Sequence, residues 1–143
     1  LAQGPCDGLV MCGQMGGLIF VGPDGRPLSP YYSWRDQRSI EPHPSGAGSW
    51  FDVYSAKLSE DDQTAIGREL RAGSTCVLLS WLAENGRVPA GEAYPVTLVD
   101  AVMASLCGTS PSTEPTEGLG MVNLHTGDWH RPLYEAAGAA RLP

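Results

Sequence analysis

The sequence is short of basic residues, and this shortage excludes one class of partner. Among 143 residues, 9 Lys and Arg stand against 16 Asp and Glu, so the formal net charge is -7. The few basic residues do not cluster along any segment. Because proteins that bind nucleic acids need a basic surface to neutralise phosphates, we expect no nucleic-acid partner.

Long apolar runs are also missing. The longest one, at 96–106, is interrupted by Thr97, Asp100 and Ser105, whereas a membrane-spanning helix needs about 20 apolar residues. The first residues, LAQGPCDG, have neither the basic region nor the apolar core of a signal peptide. We therefore expect a soluble, cytoplasmic protein without a membrane partner.

The sequence also lacks closely spaced metal ligands. The four cysteines lie at positions 6, 12, 76 and 107, and the sequence contains no CxxC or HxxxH, the kinds of spacing that zinc sites use. We expect no metal, and we expect the cysteines to be buried free thiols in a reducing compartment. The three histidines are expected at the surface.

Glycine and proline, in contrast, are abundant, with 18 and 12 residues. This content favours many turns and short elements over long helices. With 42% hydrophobic residues, the chain is long enough for one compact domain covering 1–143.

Three segments have strand patterns. The apolar run at 8–13 is bounded by glycines and predicts a buried central strand. Residues 18–21 and 27–34 predict a β-hairpin, because Pro23, Asp24 and Gly25 between them form a turn sequence.

Four helices are predicted, at 59–72, 75–84, 97–106 and 131–137, from capping residues at their starts and glycines after their ends. The Pro- and Gly-rich segment 39–52 predicts a loop. These patterns indicate an α/β or α+β domain with two to four strands, and they give no function.

The segment 13–38, GQMGGLIFVGPDGRPLSPYYSWRDQR, resembles the N-terminal domain of the FGGY-family carbohydrate kinases, which include xylulokinase- and glycerol kinase-like enzymes. There, a strand ends in Gly-Gln-Met-His-Gly, a hairpin with Asp-Gly and Pro-Leu follows, and the segment closes on Trp-x-Asp-x-Arg. Further segments are similar to later family motifs in the same order: 78–82, 99–101, 106–109, 112–118 and 122–129. The resemblance extends over most of the chain and is weaker at 39–73.

The resemblance implies a fold and a function. The fold is α/β, a partial ribonuclease H-like (actin-like ATPase) domain with an inserted β-hairpin and several helices. The function is that of a part of an ATP-dependent carbohydrate kinase that contributes to the sugar- or polyol-binding side of the cleft. The alternative is a catalytically inactive, truncated kinase that acts as a sugar-binding or oligomerising module.

The resemblance also implies substrate-binding residues. Gln14, Met15 and Gly16 would face the substrate, and the Trp34 indole would cover an apolar face of the sugar. Gly16 stands where relatives usually have His, which predicts a roomier and less polar pocket. Two interpretations that involve no substrate remain open. The Gln14 side chain could hydrogen-bond backbone groups, and the Trp34 side chain could belong to the core of the hairpin.

Asp36 is the fifth candidate. It either contacts the substrate or supports the hairpin through an ion pair with Arg38, and the second interpretation is favoured.

Catalytic and cofactor-binding residues are not assigned. The family's phosphate loop, Asp-x-Gly-Thr-Thr, lies upstream of the segment that this chain resembles, and its catalytic Asp lies downstream. ATP and Mg2+ are therefore implied only for a complete family member, and a second chain carrying the rest of the kinase is an expected partner.

A homodimer is expected as well. The predicted strand at 9–12 would have an open edge, and open edges pair with other chains. The apolar faces of Leu78, Leu82, Leu98 and Val102 would offer another surface for a second copy.

Overall fold

The computed structural model describes residues 7–118 and 120–139, and within them the fold mixes helices with a two-stranded antiparallel sheet. The elements in chain order are β1 (Ile19–Val21), a 3-10 helix (Arg38–Ile40), α1 (Trp50–Ser55), α2 (Glu60–Ala65), α3 (Thr75–Glu84), β2 (Tyr94–Val96), α4 (Leu98–Cys107) and α5 (Arg131–Ala136). The predicted combination of helix and strand is confirmed at this level.

The sheet joins two segments that are far apart in sequence. β1 pairs with β2 so that Ile19 lies opposite Val96 and Val21 lies opposite Tyr94. The central residue of β2 is Pro95, which has no backbone N–H and therefore limits the hydrogen bonding of this strand.

The predicted hairpin at 18–34 forms in outline. Leu18 N–H donates to the Tyr32 carbonyl at 2.8 Å, and Tyr32 N–H donates back to Leu18 at 2.7 Å. The turn is closed where Gly22 N–H donates to the Arg26 carbonyl at 2.9 Å. The returning arm shows only isolated bridges rather than a strand, because its prolines cannot donate to a ladder.

The predicted central strand at 8–13 is wrong. These residues have no regular secondary structure, and Leu9 and Val10 are 61% and 98% exposed. An apolar run becomes a buried strand only when distant segments cover it, and local sequence does not encode that cover.

One argument for a homodimer loses its basis with this finding, and the second holds for fewer residues than predicted. The open strand edge does not exist, and Leu78 and Leu82 are fully buried inside the chain. Leu98 remains 42% exposed. The homodimer stays a prediction, which sedimentation at micromolar concentration would test.

The helix predictions succeed best where capping residues stand at both ends. α3 has the predicted bounds. α4 follows Thr97, whose side chain accepts from Asp100 N–H, and it ends at Gly108 with a φ of 63°. α5 ends one residue before the predicted end.

Two helix predictions need correction. α2 ends at Ala65 rather than near residue 72, because Gly67 and Arg68 adopt left-handed φ values of 69° and 55°. The segment 39–52 is not wholly a loop, since it contains part of the 3-10 helix and the first turn of α1. α1 begins with a capping box in which Ser49 and Asp52 exchange hydrogen bonds.

The main core surrounds α3. Its buried residues Cys76, Leu78, Leu79 and Leu82 pack with Tyr54 and other side chains of the same cluster, which come from β1, α5 and the segments between helices. A smaller cluster joins the sheet to α4.

The cysteine prediction holds for one position. Cys76 is buried, whereas Cys12 and Cys107 are exposed free thiols. Cys6 lies outside the described residues. Within the described ranges, every helix is too short or too polar to cross a membrane.

Candidate functional site

The structure brings two of the predicted substrate-binding residues into direct contact. The Trp34 Nε1–H donates to Gln14 Oε1 at 2.7 Å, across 20 residues of sequence. The bonds between Leu18 and Tyr32 hold the two segments side by side. The same amide of Gln14 also carries an NH2 group, which can donate to a hydroxyl.

Two glycines shape the backbone beside this contact. Gly16 has a φ of 78°, and a Cβ there would lie 3.4 Å from the Trp34 Cβ. Gly73 lies against the backbone of Trp34, so that a Cβ on Gly73 would overlap the Trp34 carbonyl group. The left-handed conformation at Gly16 gives a physical reason for glycine at this position.

The candidate residues lie at the surface rather than in an enclosed pocket. Met15 is 45% and Trp34 43% exposed, and Gln14 is exposed as well. An indole that is partly open and fixed through its N–H presents an apolar face in a defined orientation.

Asp36 is engaged with Arg38. The Arg38 Nε–H donates to Asp36 Oδ1 at 2.8 Å, and Nη2 lies 2.8 Å from Oδ2. Burial raises the pKa of Asp36, but the hydrogen bonds and charge of Arg38 outweigh burial and hold that pKa below its usual value. The guanidinium also lies 5.0 Å from the Tyr32 ring centroid and 4.7 Å from that of Trp81. These contacts are those of a residue that supports the hairpin end.

A separate cleft of about 700 Å3 lies between β2, residues 111–113 and α5. None of the five predicted site residues lines this cleft. Three aromatic side chains do: Tyr94, Trp129 and Tyr134. Trp129 ends the resembling segment 122–129, but its convergence with Tyr94 on this cleft is a tertiary feature that no local pattern encodes.

A buried carboxylate lies behind the wall of the cleft. Asp100 is 5% exposed and accepts hydrogen bonds from the hydroxyls of Thr97 at 2.8 Å and Thr113 at 2.6 Å. Burial raises the pKa of Glu117, as do the charges of Asp100 and Glu114. Within the described ranges, no group of His, Cys, Asp and Glu side chains could hold a metal ion.

Two of the histidines are less exposed than predicted. His130 Nε2 lies 2.8 Å from Asp62 Oδ1, and the exposed fractions of the two side chains are 13% and 21%. His43 packs edge-on against Trp50, with ring centroids 4.3 Å apart. Both therefore take part in tertiary contacts, which cannot be predicted from isolated polar residues in a sequence.

Comparison with known proteins leaves the chain without an assigned family: no family model matches it, and neither does any curated protein or solved structure.

Proposed function

We propose that this chain forms part of the sugar- or polyol-binding side of an FGGY-type carbohydrate kinase, with Gln14 and Trp34 as its central substrate contacts. The observation that carries the proposal is the 2.7 Å hydrogen bond between these two side chains. The resemblance assigns both to the substrate, and they come from separate motifs.

The chemistry of the pair suits a polyhydroxylated ligand. The Gln14 NH2 group can donate to a hydroxyl, and the partly exposed Trp34 indole can pack on the apolar C–H face of a sugar. Met15 would contribute an adaptable apolar surface beside them. Gly16, without a side chain, leaves room for a bulkier substituent.

The finer fold belongs to the same proposal. The hairpin, the sheet and the helices that follow would form part of a ribonuclease H-like domain, with ATP and Mg2+ bound by other parts of a complete kinase. Neither the phosphate loop nor the catalytic Asp motif is among the segments that carry the resemblance, so the chain is expected to bind substrate without turning it over.

The test is a titration of the purified chain with pentoses, hexoses and glycerol, followed by NMR of the tryptophan indole N–H groups. We expect at least one sugar or polyol to shift the Trp34 resonance. Calorimetric titration should show binding weakened by about tenfold or more in Trp34→Leu and Gln14→Ala. Trp129→Leu is the control, since Trp129 lies in the other cleft and its loss should leave sugar binding unchanged.

A coupled assay with MgATP on the same samples tests whether this chain alone phosphorylates a sugar. Absence of any Trp34 shift at saturating sugar would overturn the proposed site. Turnover by homogeneous protein would contradict the expectation that this chain binds without catalysing.

A further inference from the structure

Aromatic side chains line the cleft between β2, residues 111–113 and α5. Tyr94 from β2, Trp129 before α5 and Tyr134 within α5 all line it. The ring planes of Trp129 and Tyr134 are nearly perpendicular, at 86°, with centroids 6.0 Å apart. In this edge-to-face contact the two ring planes differ in direction, so the faces that remain open to the cleft point along different axes, and a ring face is the surface that attracts a cation.

The charges around the cleft favour a cation over an anion. Arg131, the cleft's basic residue, donates from Nε to Glu135 Oε1 at 2.8 Å, so its charge is balanced within α5. The Tyr94 hydroxyl donates to Glu92 Oε1 at 2.7 Å. A phenol that donates to a carboxylate gains electron density in its ring, and this strengthens attraction to a cation. The net charge of -7 adds a long-range preference of the same sign.

The cleft's size and remaining lining point to a bulky, weakly hydrated cation. A volume of about 700 Å3 is within the range of small-molecule sites. Val96, Pro95 and Met121 add apolar surface, which suits methyl groups and disfavours a strongly hydrated ammonium or metal ion.

We propose that this cleft binds a trimethylammonium group, held by cation–π contacts with Tyr94, Trp129 and Tyr134. The site is independent of the proposed sugar-binding residues and would persist if those residues bound nothing.

Choline and its uncharged isostere 3,3-dimethylbutan-1-ol provide the test. The two share shape and apolar surface and differ in the charge, so the comparison isolates cation–π attraction from burial. Calorimetric titration gives the affinities of the parent and the variants, and the indole N–H resonances of the 4 tryptophans locate the site in the parent. We expect choline to shift the Trp129 signal selectively and to bind about 5- to 30-fold more tightly than the isostere.

Two sets of variants sharpen the result. Trp129→Leu preserves apolar bulk but removes the π face, so choline binding should be lost, whereas Trp34→Leu should leave it unchanged. Arg131→Gln leaves Glu135 unbalanced and should tighten choline binding, while Glu135→Gln should weaken it. Neither change should affect the neutral isostere. Arg131 and Glu135 are well exposed, so the fold should tolerate both substitutions.

A peptide carrying trimethyl-lysine, compared with its unmodified lysine form, distinguishes a protein-borne group from a free small molecule. Equal affinity for choline and the isostere would overturn the proposal, because burial alone would then explain binding. So would the absence of a Trp129 shift with either choline or the trimethyl-lysine peptide, and so would undiminished choline binding by Trp129→Leu.

Discussion

At the scale of single residues, Gly73 is the position where backbone packing most directly supports the candidate sugar site. Gly73 lies in the segment between α2 and α3. Its carbonyl accepts a hydrogen bond from Gly17 N–H at 2.9 Å. A Cβ on Gly73 would overlap the Trp34 carbonyl group. Because backbone cannot turn aside as a flexible side chain can, the surrounding chain would have to shift.

Gly73→Ala is therefore predicted to lower the free energy of unfolding by about 2–4 kcal/mol. The Trp34 indole resonance should move as well, since its hydrogen bond to Gln14 depends on the position of that backbone. Gly8→Ala is the matched control, because nothing lies within 4 Å of a Cβ at Gly8. Chemical denaturation measures both variants, and a Gly73→Ala protein as stable as Gly8→Ala would show that the close approach is wrong.

Single residues also show where the resemblance and the structure are consistent without one proving the other. Gln14 and Trp34 are predicted together and lie together. Asp36 pairs with Arg38, as the interpretation favoured from the sequence has it. Gly16 has a left-handed φ of 78°, a conformation that favours glycine.

At the scale of elements, α1 and α2, two of the three six-residue helices in the described residues, each begin with a capping box. Ser49 bonds with Asp52, and Ser59 bonds with Asp62, each through both side chain and backbone. Helices this short do not form from propensity alone, since nucleation is costly. The caps and the tertiary contacts must therefore supply their stability.

Ser59→Ala is predicted to cost about 1–2 kcal/mol of unfolding free energy, more than the loss of an ordinary cap. The reason is that Asp62, which the Ser59 hydroxyl holds, also meets His130 at 2.8 Å. Hydrogen exchange should accelerate in 60–65 and around His130, while 75–84 keeps its protection. Ser112→Ala, at an exposed residue outside any helix, is the control, and equal exchange in both variants would refute this role of the cap.

Elements also show which parts of the fold a sequence encodes locally. α3 and α4 are predicted closely because hydroxyl and glycine signals stand next to their ends. α1 is missed because its Ser49–Asp52 box lies in a segment whose prolines and glycines dominate the pattern. The strand predicted at 8–13 fails for a different reason: strand formation depends on partners from elsewhere in the chain.

At the scale of the whole molecule, the same limit applies to the sites. Gln14 and Trp34 could each be singled out from one short resembling segment, but their mutual hydrogen bond is known only from the structure. The aromatic cleft could not be predicted, since Tyr94 and Trp129 are separated by more than thirty positions and meet only after folding. Sequence patterns mark residues that suit a chemistry, and tertiary packing decides which of them share a surface.

The acid stability of the whole molecule follows from its ionised carboxyl groups. Hydrogen bonds from Ser49 lower the pKa of Asp52. The pKa of Asp62 is lowered mainly by its bond with Ser59 and also by its bond with His130. The pKa of Glu84 is lowered mainly by its bond with Lys57. The pKa of Asp36 is lowered too, because the bonds from Arg38 outweigh burial. A group whose pKa is lower in the folded state binds fewer protons there than in the unfolded state, so its stabilisation is present above the unfolded pKa and is lost as pH falls through the folded pKa.

The Tm is accordingly predicted to be flat above about pH 5 and to fall steeply below about pH 4, the range in which unfolded Asp and Glu titrate. Asp36→Asn should have a lower Tm at pH 7 and a shallower decline in acid, because the titrating group is gone.

Glu117→Gln should act in the opposite sense. The pKa of Glu117 is raised in the folded state, so ionisation of this carboxyl group costs stability, and the variant should be more stable than the parent at pH 7 and no different at pH 3. Thermal melts from pH 3 to 8 measure all three proteins, and parallel curves for the parent and Asp36→Asn would show that the Asp36–Arg38 pair contributes no pH-dependent stability.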